Sequence, residues 1–76
     1  MNEARRKAIK VAQTKLDELS TYVENLRDEE QDYLDNMPEA LANGDKGDAA
    51  QTVVDSLTEV VGYIAQAIEQ LEDACC

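Results

Sequence analysis

At 76 residues and 8.4 kDa the chain is one small domain at most, and with no Phe, no Trp and three Tyr any core it builds is aliphatic. It has no His, and its two cysteines are adjacent at positions 75 and 76, which excludes a structural metal site and a disulfide framework, so a chain this short must bury surface against a second copy or another partner. Seventeen acids against seven bases give a net charge of −10, and that field opposes approach to phosphate and excludes a general nucleic-acid binder.

The few bases are gathered at the start. Residues 1–15 hold Arg5, Arg6, Lys7, Lys10 and Lys15 against Glu3, a net charge of +4, while residues 16–76 hold Arg27 and Lys46 against sixteen acids, a net charge of −14. The opening MNEARRKAIK is not followed by the apolar stretch of a secretion signal, and no apolar run approaches the roughly 18 residues of a membrane span. The sequence predicts a cytoplasmic protein without a membrane partner.

From Ile9 onward the positions Ile9, Ala12, Leu16, Leu19, Val23, Leu26, Glu30, Tyr33 and Met37 recur at alternating spacings of three and four, a heptad seam with one charged break at Glu30. Ala8, Tyr22 and Leu34 widen the stripe. Asn2 can cap the start, and no Gly or Pro occurs before Pro38. A helix over 3–35, a rod of about 50 Å, is therefore expected.

Asn36-Met37-Pro38-Glu39 stops that helix, because proline disfavours helical backbone in the residue before it and cannot donate to the preceding turn. Pro38 suits the first residue of a new turn and Asn43-Gly44 suits its end, so the connector over 36–45 should hold a short helical turn at about Pro38 to Ala42. Asp45-Lys46-Gly47-Asp48 then offers caps, with acids near the positive end of the next helix dipole.

The second helix, expected over 46–73, carries Val54, Leu57, Val61, Ile64, Ile68, Leu71 and Cys75 as its seam. Ala50, Val53, Val60, Ala67 and Ala74 form a neighbouring stripe, more apolar surface than one facing helix can cover. Gly62 interrupts it at a cost of about 1 kcal/mol relative to alanine, either for a close helix approach or because the position tolerates it. A connector this short makes the helices antiparallel neighbours, with Arg5 to Lys10 beside Glu69, Glu72 and Asp73. The expected fold is all-α: one antiparallel helical hairpin over 1–76, dimerising into a four-helix bundle through Ile9, Leu16, Leu19, Val23, Leu26, Val54, Leu57, Val61, Ile64, Ile68 and Leu71.

Catalysis is hard to build from this inventory. Ser20 and Ser56 have no His base, and pairs such as Glu29-Glu30 fall on a solvated helix face; no enzyme and no cofactor is expected. Asn43 to Asp48 is superficially like a calcium loop, but counting from Asn43 the fifth, sixth and twelfth places hold Gly47, Asp48 and Val54, which fails the EF-hand pattern. Glu30 can pair with Arg27 three residues earlier, or set bundle register. Tyr33 reads as core and Tyr22 as its flank, whereas Tyr63 falls opposite the second seam as an exposed aromatic of the kind enriched in interfaces. Cys75-Cys76 resembles the prenylation site of some small eukaryotic GTPases, but without such a domain reduced thiols or an intermolecular disulfide are expected.

Acid accumulates at the turn. Residues 28–35 read DEEQDYLD, five acids in eight, and with Glu39, Asp45 and Asp48 they define a candidate docking surface of Asp28, Glu29, Asp32, Asp35, Glu39, Asp45 and Asp48. The run Asp28-Glu29-Glu30-Gln31-Asp32-Tyr33, then Asp35-Asn36-Met37-Pro38-Glu39-Ala40-Leu41, then a small polar turn and an Ala/Val/Leu heptad helix resembles a group of short acidic helical-hairpin proteins of bacteriophages and bacterial genomes, mostly uncharacterised. That resemblance covers residues 15–73. It implies a phage or mobile-element origin, the host cytoplasm, and stoichiometric inhibition of a host defence or nucleic-acid-processing protein with a basic surface, in some cases by imitating the charge of DNA; no catalytic motif comes with it. Two other readings stand beside it. One is an oligomeric sponge for an anionic nucleotide messenger held by Arg5, Arg6, Lys7 and Lys10; the other is a structural bundle with no separate ligand.

Overall fold

The computed structural model describes residues 2–75, so Cys76 lies outside the described residues. Three helices follow in order: α1 (Glu3–Asp35), α2 (Glu39–Ala42) and α3 (Asp45–Cys75), with no strand among the described residues. The two long helices pack against each other as a hairpin, and the single turn of α2 closes one end.

Local chemistry explains each boundary. The Asn2 side chain accepts a hydrogen bond from the Arg5 backbone N–H at 2.7 Å, satisfying one of the orphan donors at the start of α1. At the other end Asn36 donates to the Asp32 carbonyl from its backbone N–H at 3.0 Å and from Nδ2 at 2.8 Å, so one side chain doubles the closing bond of α1. Pro38 is extended, with φ −55° and ψ 143°, and its carbonyl accepts from Leu41 and Ala42, both at 2.9 Å. It therefore stands just before α2 instead of serving as its first helical residue, because the carbonyl that starts the turn is its own.

Asn43-Gly44 closes α2 without the left-handed glycine expected of that pair, since no residue in the described chain has a positive φ. Gly44 instead starts α3: its carbonyl accepts from the Asp48 N–H at 3.0 Å. Asp45 to Asp48 consequently form the first turn of α3 and do not precede it. Gly47 is buried there. A Cβ on Gly47 would fall on the carbonyl group of Ala42 and 2.7 Å from the Ala42 Cα, so the backbone of α2 rests directly on α3 at this point. Gly62 is the opposite case, with nothing within 4 Å of a Cβ built on it; of the two explanations for it, tolerance is the one that fits.

Two contacts set the register of the long helices. The Gln13 side chain donates to the Ile68 carbonyl at 3.4 Å, and the Cys75 thiol reaches the Arg6 carbonyl at 3.9 Å, which brings Leu19 level with Gly62. The interior this produces is thin. Among the described residues only Val23, Ala50, Val54 and Ile64 are buried apolar side chains, and none of these is fully enclosed. The hairpin measures 59 × 14 × 11 Å with a radius of gyration of 17.3 Å, against about 11 Å for a compact domain of this length. Its accessible surface is 5568 Å², whereas a compact monomer of this mass exposes about 4,600 Å².

Candidate interaction surfaces

On α3 the seam Val54, Leu57, Val61, Ile64, Ile68, Leu71 and Cys75 faces α1, with Val54 and Ile64 buried and the others half-buried. On α1 the apolar seam splits. Ile9, Leu16 and Val23 turn toward α3, but Leu19, Leu26 and Tyr33 do not: they are 49, 39 and 54% exposed, and Gln13, Ser20, Arg27 and Leu34 occupy the half-buried places beside α3 instead. Tyr33 is therefore a surface residue of the hairpin and not part of its core. The cause is a rotation of α1 by about one position, roughly 50° of the helical wheel, which carries one apolar edge out of the interhelical contact.

The displaced edge meets another. Residues seven apart repeat on one face of a helix, so Ala12, Leu19, Leu26 and Tyr33 form a line on α1, about 80° round from the direction of α3. Val53, Val60, Ala67 and Ala74 form a line at the same angular offset on α3. Because the helices run antiparallel, equal offsets in the same rotational sense bring both lines to the same side of the hairpin. Val53 and Val60 are 42 and 38% exposed, and the exposed rings of Tyr22 and Tyr63 fall on the two outer margins of this apolar face. The opposite side is polar, with Lys10, Asp17, Glu24 and Gln31 on α1 and Gln51, Thr58 and Glu72 on α3.

The carboxylates of the turn end keep clear of the apolar face. Asp28, Glu29, Asp32, Asp35, Glu39, Asp45 and Asp48 are all exposed. On the helical wheel Asp28, Asp35 and Asp48 lie toward the polar side, and Asp32 and Asp45 point outward; only Glu29 borders the apolar line. Glu30 is half-buried, and its expected partner turns elsewhere: Arg27 donates from Nε and Nη2 to Asp28 Oδ1, both at 3.3 Å. That is the one ion pair within 4.0 Å among the described residues, so the bases Arg5 to Lys10 and the acids Glu69, Glu72 and Asp73 share one end of the rod without pairing.

Arg5, Arg6, Lys7 and Lys10 are exposed but fan around α1. Arg5 and Lys7 project about 200° apart at 100° per residue, so the four do not converge on one anion. The shallow depression nearby is bounded by Lys10, Val11, Thr14, Lys15 and Glu18 of α1 alone, a gap between successive side chains of one helix. Among the described residues no group of three His, Cys, Asp or Glu is placed to hold a metal ion, and no helix is long and apolar enough to cross a membrane.

The seam periodicity gave no warning of the split on α1, but it did hold a signal of the close approach of α2 to α3: Gly47 falls seven residues before Val54, on the same line as the α3 seam. A glycine there marks where the chain closes most tightly. No protein-family model, no curated protein and no solved structure matches the chain.

Proposed function

We propose that the protein is a non-enzymatic interaction module: a homodimeric four-helix bundle that pairs through its apolar face and presents its acidic turn end to a basic surface on a host protein, as a stoichiometric inhibitor. The observation that carries this reading is the segregation of the two surfaces. An apolar face on one side and carboxylates that, Glu29 apart, point away from it allow self-association and docking at the same time, because pairing through the apolar face leaves Asp28, Asp32, Asp35, Asp45 and Asp48 uncovered. The nucleotide-sponge alternative asks for converging cations, and Arg5, Arg6, Lys7 and Lys10 spread around their helix.

The test is capture from bacterial lysate with the native chain beside a variant carrying Asp28→Lys, Asp32→Lys, Asp35→Lys and Asp48→Lys. A host protein retained by the native chain and lost from the variant supports the reading; equal capture by both forms overturns the acidic surface as the docking site.

Salt separates the two electrostatic roles. Raising ionic strength to physiological values shortens the Debye length to about 8 Å, so binding of the captured partner should weaken mainly through a slower on-rate. The melting temperature of the bundle should rise over the same titration, since screening relieves repulsion within a chain of net charge −10 and the one ion pair among the described residues, Arg27–Asp28, contributes little to lose. Parallel surface-resonance and thermal-melting titrations check both signs.

A further inference from the structure

We infer that the occupant of the apolar face is a second copy of the chain docked end for end, so that the turn of each protomer lies over the open end of its partner; this rests on the dimer proposed above and adds its direction. The first ground is area. The hairpin exposes about 1,000 Å² more than a compact monomer of its mass, and a standard stable interface buries about 800 Å² per partner.

The second ground is the taper of the face. From the turn toward the open end, the line on α1 reads Tyr33, Leu26, Leu19, Ala12, and the line on α3 reads Val53, Val60, Ala67, Ala74. Bulky side chains occupy the turn half and alanines the other half. Two copies stacked turn to turn would set large against large at one end and leave alanine facing alanine across a gap at the other. Reversal about the level of Leu19 and Gly62 corrects both faults. At 1.5 Å per residue, Leu26 and Ala12 stand about 10 Å on either side of Leu19, so Leu26 of each copy falls level with Ala12 of the other, and the layers fill at constant volume.

The third ground is charge. The turn half, residues 19–63, carries eleven carboxylates against Arg27 and Lys46, a net charge of −9, and the remaining residues carry −1. Turn-to-turn stacking places −9 on −9, whereas reversal places −9 beside −1. Reversal also brings Arg5, which continues the line of Ala12 and Leu19, level with Tyr33 of the other copy, because both stand about 21 Å from Leu19 along the axis; a cation over an aromatic ring at that layer is an attractive contact. The reversed dimer carries one acidic turn at each end and so offers two docking sites to the partner.

A nitroxide label at the turn decides the direction. In the chain with Cys75→Ser and Cys76→Ser, Asn43→Cys supplies one exposed label per protomer, and double electron–electron resonance reads the distance between protomers. The reversed dimer gives about 60 Å, the length of the 59 Å hairpin. A distance of about 20 Å, two helix layers of about 10 Å each, overturns the reversed arrangement whether it occurs alone or beside the long one. Light scattering on the same sample separates the two levels of the inference: a dimeric mass with the short distance removes only the direction, and a particle of 8.4 kDa at micromolar concentration removes the dimer as well.

Discussion

Ile64→Asp should abolish cooperative folding at micromolar concentration. Ile64 is 7% exposed and lies between the two long helices, in an interior with only three other buried apolar side chains among the described residues. The substitution removes burial worth about 2 to 5 kcal/mol for an aliphatic side chain of this size and adds an unpaired carboxylate, which places it among the largest single-residue effects. Total stability for a chain of this length is of order 4 to 11 kcal/mol, so the loss consumes most of it. Asp17→Asn is the companion measurement. Asp17 is exposed, and its backbone carbonyl, which accepts from the Thr21 hydroxyl at 3.2 Å, is untouched, so its melting curve should move by no more than about 0.5 kcal/mol equivalent. Circular-dichroism melts of the two variants check this; closely similar curves would show that Ile64 does not carry the pairing of α1 with α3.

Two chemically identical substitutions should move stability in opposite directions. Gly62→Ala should raise the melting temperature by about 4 to 8 °C, because the position is in regular helix with nothing within 4 Å of the new methyl group and alanine gains about 1 kcal/mol over glycine there. Gly47→Ala receives the same helical gain, since its φ is not positive. It should nevertheless lower the melting temperature, because the methyl group would occupy the place of the Ala42 carbonyl. The neighbour is backbone, which cannot swing aside as a long side chain does, and overpacking of this kind costs about 1 to 3 kcal/mol or more. The whole connector must lift for the methyl group to fit. If Gly47→Ala stabilises the protein as Gly62→Ala does, α2 does not rest on the first turn of α3.

The helices themselves were legible because their determinants are local. Asn2 caps the residues next to it, Pro38 and Asn36 act within one turn, and thirty-three residues without Gly or Pro continue a helix once it has started. The seam of α3 was legible for a related reason: one broad apolar arc has one centre, and that centre faces the neighbour. On α1 the same rule pointed to Leu19, Leu26 and Tyr33, and the hairpin set Ser20, Arg27 and Leu34 beside α3 instead. The acidic turn could be placed from the sequence, since a short connector is enough to bring Asp28 to Asp35 and Asp45 to Asp48 together. The sidedness of those carboxylates could not.

The sequence by itself determined two long helices, their short connector, their antiparallel order and the separation of charge along the rod, because each follows from residues within a turn or two of one another. Only the tertiary structure decided the rotation of α1 about its axis, and with it which apolar residues meet α3 and which join Val53 and Val60 on an open face. That rotation depends on contacts between residues far apart in the chain, Gln13 against the Ile68 carbonyl and Cys75 against the Arg6 carbonyl. Hydrophobic periodicity records how wide an apolar arc is and leaves open which part of it the neighbouring helix takes.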